Sequence, residues 1–154
     1  MVKHDDYMTP FSTWEDIRDF LPRHLTIWEA FRGDRTSAGH LRNLGLHVVC
    51  EDVNFFAHDL GECVVTNPPF SKLTKVLARL RDLGKPFVVT TRYFQDLFPE
   101  IQVIVPRSHI QFRKLVDGAE VRSGRCSFDC LYFCWKIGLP RDVVFLPQEK
   151  IIFP

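Results

Sequence analysis

Cys63-Val64-Val65-Thr66-Asn67-Pro68-Pro69-Phe70 passes without a break from an apolar, β-branched segment into a proline turn. The fold is decided by what flanks it. Residues 63–66 have the composition of a short buried strand. The proline pair ends that strand, because proline offers no N–H to a ladder and biases the residue before it towards extended geometry. Downstream, Ser71 is a candidate N-cap for a helix whose Leu73, Val76, Leu77, Leu80 and Leu83 share one face, with Gly84 as its stop. Residues 86–90 then form a second buried strand.

The same alternation extends upstream. Ser12-Thr13-Trp14-Glu15 has the spacing of a capping box, and Trp14, Ile17, Phe20 and Leu21 line one helical face. Residues 25–28 are a short apolar strand ending at Glu29. A polar loop with Gly33 and Gly39 leads to a helix carrying Ala38, Leu41 and Leu44 and stopped by Gly45. Residues 47–50 are the next strand, ending in Glu51-Asp52. Residues 101–105, 127–135 and 143–146 add further strands. Continuous apolar strands alternating with amphipathic helices predict an α/β fold: a largely parallel sheet with helices on both faces. In such sheets ligands lie beyond the carboxyl ends of the strands. Glu29 with Gly33, Glu51 with Asp52, and Asn67 all fall at those ends.

The 154 residues are expected to make one domain, over 1–154, with no separate target-recognition domain. No apolar run approaches the roughly 20 residues of a membrane span, so no membrane partner is expected. The polar start, Met1-Val2-Lys3-His4-Asp5-Asp6, does not read as a signal peptide. Cys50, Cys63 and Cys134 sit in apolar or aromatic runs and read as buried free thiols of a reducing, intracellular compartment, cytoplasmic or nuclear. Cys126, Cys130 and Cys134 recur every four residues, but with no CxxC pair or nearby His no metal is expected. Charge is divided unevenly. Residues 1–60 hold six Lys/Arg against ten Asp/Glu, whereas residues 61–154 hold fourteen against nine. A basic substrate-facing half would look like this, and so would ordinary solvated surface.

The Asn67 turn has a specific chemical use. An exocyclic adenine amine is a poor nucleophile because its lone pair is delocalised into the ring. An Asn side-chain oxygen and the Pro68 carbonyl can each accept one N–H, drawing the nitrogen towards tetrahedral geometry with its lone pair available. The rigid proline pair fixes both acceptors beforehand, and Phe70 offers a face for an extruded base to stack on. A plain rigid turn would explain the prolines but neither Asn67 nor Phe70. Two further groups admit both functional and bland readings. Tyr7 and Thr9 either fold over a cofactor pocket, as apolar wall and hydrogen-bonding group, or belong to a frayed terminus. Arg107, His109, Arg113 and Lys114 interleave with Ile110 and Phe112, followed by Arg122 and Arg125. They suit a phosphate backbone with stacked bases, or a charge-protected strand edge.

Taken in order, Asp6-Tyr7-x-Thr9-Pro10, Trp28-Glu29-x-Phe31-x-Gly33-Asp34, Glu51-Asp52 and Asn67-Pro68-Pro69-Phe70 resemble the small adenine-N6 DNA methyltransferases. The likeness is to compact, orphan-type members of virus and phage origin. It extends over Ile101-Gln102-Val103-Ile104-Val105-Pro106-Arg107 and Ile110-Gln111-Phe112. The resemblance implies a Rossmann-like methyltransferase fold with S-adenosylmethionine as methyl donor and DNA as substrate. It places the methionine moiety against Thr9, Glu29, Phe31 and Gly33, with Tyr7 walling the pocket. The ribose would go to Glu51 or Asp52, and the cofactor adenine near Asn54 and Phe55. The target amine would sit on Asn67 and Pro68 with Phe70 stacking. On the charge pattern, and not on the resemblance, Arg107, Arg113 and Lys114 would hold the nucleic acid. Two departures stand out. In the cofactor loop, Ala30 replaces the proline of the family's Glu-Pro-Phe, and Arg35 stands where a second glycine, free to take positive φ, is expected. The segment from Thr91 to Phe98 is short for the loop that closes over the target base in the family. RNA adenine is the alternative substrate. A degenerate fold serving as a nucleic-acid-binding scaffold is the alternative without catalysis. Without a target-recognition domain, specificity would be short or supplied by a homodimer or partner protein.

Overall fold

The computed structural model describes residues 7–31, 33, 35–91, 99–107, 113–116, 119–121 and 130–147. In chain order the elements are β1 (Tyr7–Met8), α1 (Phe11–Glu15), β2 (Ile27–Trp28), α2 (Thr36–Asn43), β3 (Val48–Val49), β4 (Cys63–Thr66), α3 (Leu73–Leu83), β5 (Phe87–Thr91), β6 (Gln102–Val105), β7 (Arg113–Val116), β8 (Ala119–Val121), β9 (Leu131–Trp135) and β10 (Val143–Phe145). Seven strands form one sheet in the order β10-β6-β9-β5-β4-β2-β3. All its pairings are parallel except those of β9, which runs against both β5 and β6.

Side-chain alternation across the strands divides the core in two. Ile27, Cys63, Val65, Val88, Tyr132 and Cys134 face Trp14, Ile17, Leu21 and Leu41, and so pack under α1, the turn that follows it, and α2. Trp28, Val64, Phe87, Val89 and Phe133 face Val76 and Leu80 of α3 together with Phe55 from the long β3–β4 connection. The sheet is thus covered on both faces, which is why its central strands β4 and β5 are buried at every position. The face assigned to α3 is borne out: Val76 and Leu80 are fully buried, and Leu73, Leu77 and Leu83 pack against them. Gly84 closes that helix with a φ of 65°.

Several expectations are corrected. No Ser12 capping box forms; Pro10 occupies the N-cap without a side-chain hydrogen bond, and Ser12 lies inside α1. Nor does Ser71 cap α3. Residues 70–72 make a 3-10 turn first, with the Lys72 N–H bonded to the Pro69 carbonyl at 3.1 Å, and the helix begins at Leu73. A second, three-stranded sheet, β1-β7-β8, is antiparallel throughout and was not foreseen. Residues 127–129 of the expected C-terminal strand, with Cys126, lie outside the described residues. No described helix is long and apolar enough to cross a membrane.

Candidate active site at the sheet switch point

The four strands β2 to β5 stand side by side in the order second, first, third, fourth. From β2 the chain goes by way of α2 to β3 on one side, then returns to β4 on the other. The connections leaving the carboxyl ends of β2 and β4 therefore diverge, and in doubly wound sheets ligands bind in the crevice that such a divergence leaves. Glu29 to Gly33 leave β2 there, Cys50 to Asp52 leave β3, and Asn67 to Phe70 leave β4.

Glu29 is 1% exposed and is the hub of the crevice floor. Its Oε2 accepts from Ser37 Oγ of α2 at 2.6 Å. Its Oε1 accepts from Thr66 Oγ1 of β4 and from the Phe31 backbone N–H at 3.3 Å. Ser37 Oγ in turn accepts from Trp14 Nε1 of α1 at 2.8 Å. One carboxylate thereby ties together α1, α2, the loop after β2 and the last residue of β4. Burial pushes its carboxyl up from 4.5 to about 7, opposed by hydrogen bonds from Ser37, Thr66 and Phe31. The sequence points to none of Ser37, Thr66 and Trp14 as a site residue; it reads Trp14 only as part of an apolar helical face and Thr66 only as a strand end. A threonine ending an apolar strand and a serine opening a helix were the available signals, and both also read as routine.

Among its described residues, the loop after β2 turns left-handed at Gly33 (φ 50°) and Arg35 (φ 70°). Arg35 thus takes the positive φ expected at that position, at a cost of about 1 kcal/mol for a residue with a Cβ. A Cβ at Gly33 would also lie 2.7 Å from Met8 Sδ, so that side chain would have to shift. β1 therefore passes directly against the loop, as expected if the Tyr7–Thr9 segment folds over it, and Thr9 is 4% exposed. Phe31 is half-buried and its ring centroid lies 5.0 Å from that of Phe55, which lies 5.3 Å from Trp28. Phe55 is itself buried, so it backs Phe31 instead of presenting an open face. Asn54 is exposed, and its Oδ1 accepts from the Phe56 N–H at 2.9 Å in an Asx turn. Glu51 and Asp52 are exposed beside it at the end of β3.

Asn67 is half-buried, yet its Oδ1 is fully buried and has no hydrogen-bond partner among the described residues. Leaving such an acceptor unsatisfied costs about 1–3 kcal/mol, so it marks a place where a donor is expected. Pro68 is buried and Phe70 half-buried against the first core cluster.

The basic residues expected to meet nucleic acid are brought towards this end in part. Arg113 and Lys114 pair with Met8 and Tyr7 across the small sheet, next to the segment that lies on the loop. Arg107 is exposed after β6, with Nε 3.9 Å from Asp16 Oδ1. His109, Ile110, Phe112, Arg122 and Arg125 lie outside the described residues, as do Asp34 and residues 92–98. Among the described residues no group of three His, Cys, Asp or Glu side chains could hold a metal. No family model, curated protein or solved structure matches the chain.

Proposed function

We propose that the chain is an S-adenosylmethionine-dependent methyltransferase that transfers a methyl group to the N6 amine of adenine in DNA. The observation that carries this is the buried, unpartnered Oδ1 of Asn67 at the carboxyl end of β4, beside the switch point. A turn built only for rigidity would have no use for a desolvated acceptor. An amine donor supplied by a substrate satisfies it.

The residues around the crevice fit the methyl donor. Exposed Glu51 and Asp52 offer acceptors for a ribose diol at the end of β3, and half-buried Phe31 offers an apolar face. Gly33 and β1 shape the loop that would lie along the methionine moiety. When bound, the cofactor supplies an electrophilic methyl group on a sulfonium. This chain's residues prepare the nucleophile. Asn67 Oδ1 and the Pro68 carbonyl each accept one amine N–H, which localises the nitrogen lone pair and disperses the positive charge that nitrogen gains as it bonds to carbon. Phe70 stacks the extruded base and holds it in line. Glu29 acts through Thr66, holding the last residue of β4 against the loop after β2, so the acceptor and the cofactor loop are fixed relative to one another. The surplus amine proton leaves to water once the nitrogen is methylated.

The test is incubation with methyl-labelled S-adenosylmethionine and, separately, duplex DNA, single-stranded DNA and RNA. Label in N6-methyladenine of DNA at short or degenerate sites is the expected result. Label in RNA alone would move the substrate to RNA. Label in none would leave a nucleic-acid-binding scaffold.

A further inference from the structure

Asn67 Oδ1 is not the only buried polar atom at this end of the sheet without a partner among the described residues. Thr90 Oγ1 of β5 is another, and Thr90 is fully buried. Its position follows from the register. β4 and β5 pair in parallel as far as Thr66 opposite Val89; carrying that register one residue past the end of β4 puts Asn67 level with Thr90. On its other side Thr90 lies opposite Tyr132 of β9. Val65, Val88 and Tyr132 all belong to the core cluster under α1 and α2, and alternation places Asn67 and Thr90 on that same face. Tyr132 donates its hydroxyl to the Thr13 carbonyl at 2.7 Å, which pins α1 across this spot. The two unsatisfied groups thus belong to neighbouring chain segments, Asn67 just past the end of β4 and Thr90 within β5, whose strands are spaced about 4.8 Å apart. Asn67 is at the half-exposed rim, and Thr90 is one strand further in.

A purine edge fits that pair. An adenine amine is flanked by ring nitrogens N1 and N7, each an acceptor, and a hydroxyl can donate where a carboxamide oxygen cannot. We propose that Thr90 is a specificity-determining residue, whose hydroxyl donates to a ring nitrogen flanking the amine that Asn67 accepts from. This rests on the reading of Asn67 as acceptor of the adenine amine. Asn67 selects for the amine, and Thr90 selects for an acceptor in the ring beside it. A base with C–H at that position leaves the Thr90 hydroxyl buried without a partner and forfeits the preference.

The measurement is equilibrium binding of the full chain to a single-stranded oligodeoxythymidine carrying one adenine. The same strand is compared with 1-deazaadenine or 7-deazaadenine in its place, and Tm is recorded for every variant. The wild type is expected to bind the adenine strand about tenfold more tightly than one of the two analogues. Thr90→Val closes that gap by weakening the adenine strand alone, and its Tm rises because a buried hydroxyl without a partner is gone. Thr90→Ser keeps the gap. Thr91→Val is the control. Thr91 Oγ1 is also buried and without a partner among the described residues, but alternation and its pairing with Leu131 put Thr91 on the opposite face, so this change raises Tm and leaves the gap intact. The proposal is overturned if the wild type distinguishes neither analogue, if Thr90→Val keeps the gap, if Thr91→Val closes it equally, or if Thr90→Val loses binding together with Tm. A chain that shows the gap yet transfers no methyl group would retain base reading by Thr90 and overturn the methyltransferase assignment.

Discussion

Replacing Asn67 by alanine is expected to lower kcat for methyl transfer by at least about a thousandfold, with Tm unchanged or raised. The two halves of this result come from one atom. Asn67 Oδ1 is buried with no partner among the described residues, so the folded chain gains nothing from it and bears its desolvation cost. Truncation removes that cost; the cavity left is small, because Asn67 is only half-buried. In the transition state the same oxygen faces a nitrogen acquiring positive charge. Removing one such preorganised partner costs about 10²–10³ in rate, and here it also removes half of the pair that localises the lone pair. Cofactor affinity should be nearly unaffected, because the ligands proposed for the methyl donor lie on the ends of β2 and β3. A variant that loses Tm and activity together would make Asn67 a structural residue. Retained turnover would remove it from the mechanism.

The second large effect concerns Glu29. Burial raises its carboxyl from 4.5 to about 7, so between those values the native chain keeps a proton that the unfolded chain has released. The native state then binds more protons than the unfolded state, and stability falls as pH rises. The contribution is fully present below about pH 4.5, declines through the interval and is gone above about pH 7. The interval corresponds to about 3 kcal/mol. Glu29→Gln removes the titration while preserving the shape of the side chain. Its amide oxygen can accept from Thr66 and Phe31, and its NH2 can donate to Ser37 Oγ. Urea unfolding at pH 5 and pH 8 should therefore give similar stabilities at the lower pH. At the higher pH the variant should be more stable by up to about 3 kcal/mol. Parallel pH profiles for the two proteins would show that Glu29 is already ionised in the fold.

The parts of this architecture legible in the sequence are those set by local patterning. Residues 63–66 and 87–91 are buried at every position because both faces of the sheet are covered, and their continuous β-branched and apolar runs identify buried strands without reference to their neighbours. α3 was legible from the spacing of its leucines and from Gly84. The direction of β9 was not. An apolar run such as Leu131-Tyr132-Phe133-Cys134-Trp135 reads the same in either orientation, and only its partners Phe87 to Thr91 reveal the reversal. β1 was hidden for a related reason, since a two-residue strand is defined by its bonds to residues more than a hundred positions away. At the site, Asn67 and Glu29 could be placed at strand ends from the order of the elements. That one of them is unsatisfied and the other saturated depends on Ser37 and Thr66, eight and 37 positions from Glu29. Thr90 carried no signal at all, because a threonine in a strand is ordinary until its hydroxyl proves to be buried without a partner.

The central claim is that the crevice between β2 and β4 receives S-adenosylmethionine, and a calorimetric titration of the full chain with that ligand tests it most directly. The account predicts saturable one-to-one binding that is weakened by Gly33→Ala, which would put a Cβ on a residue held at a left-handed φ of 50° in the loop, and that persists in Asn67→Ala. No detectable heat at millimolar ligand, from a chain that remains folded, would contradict it.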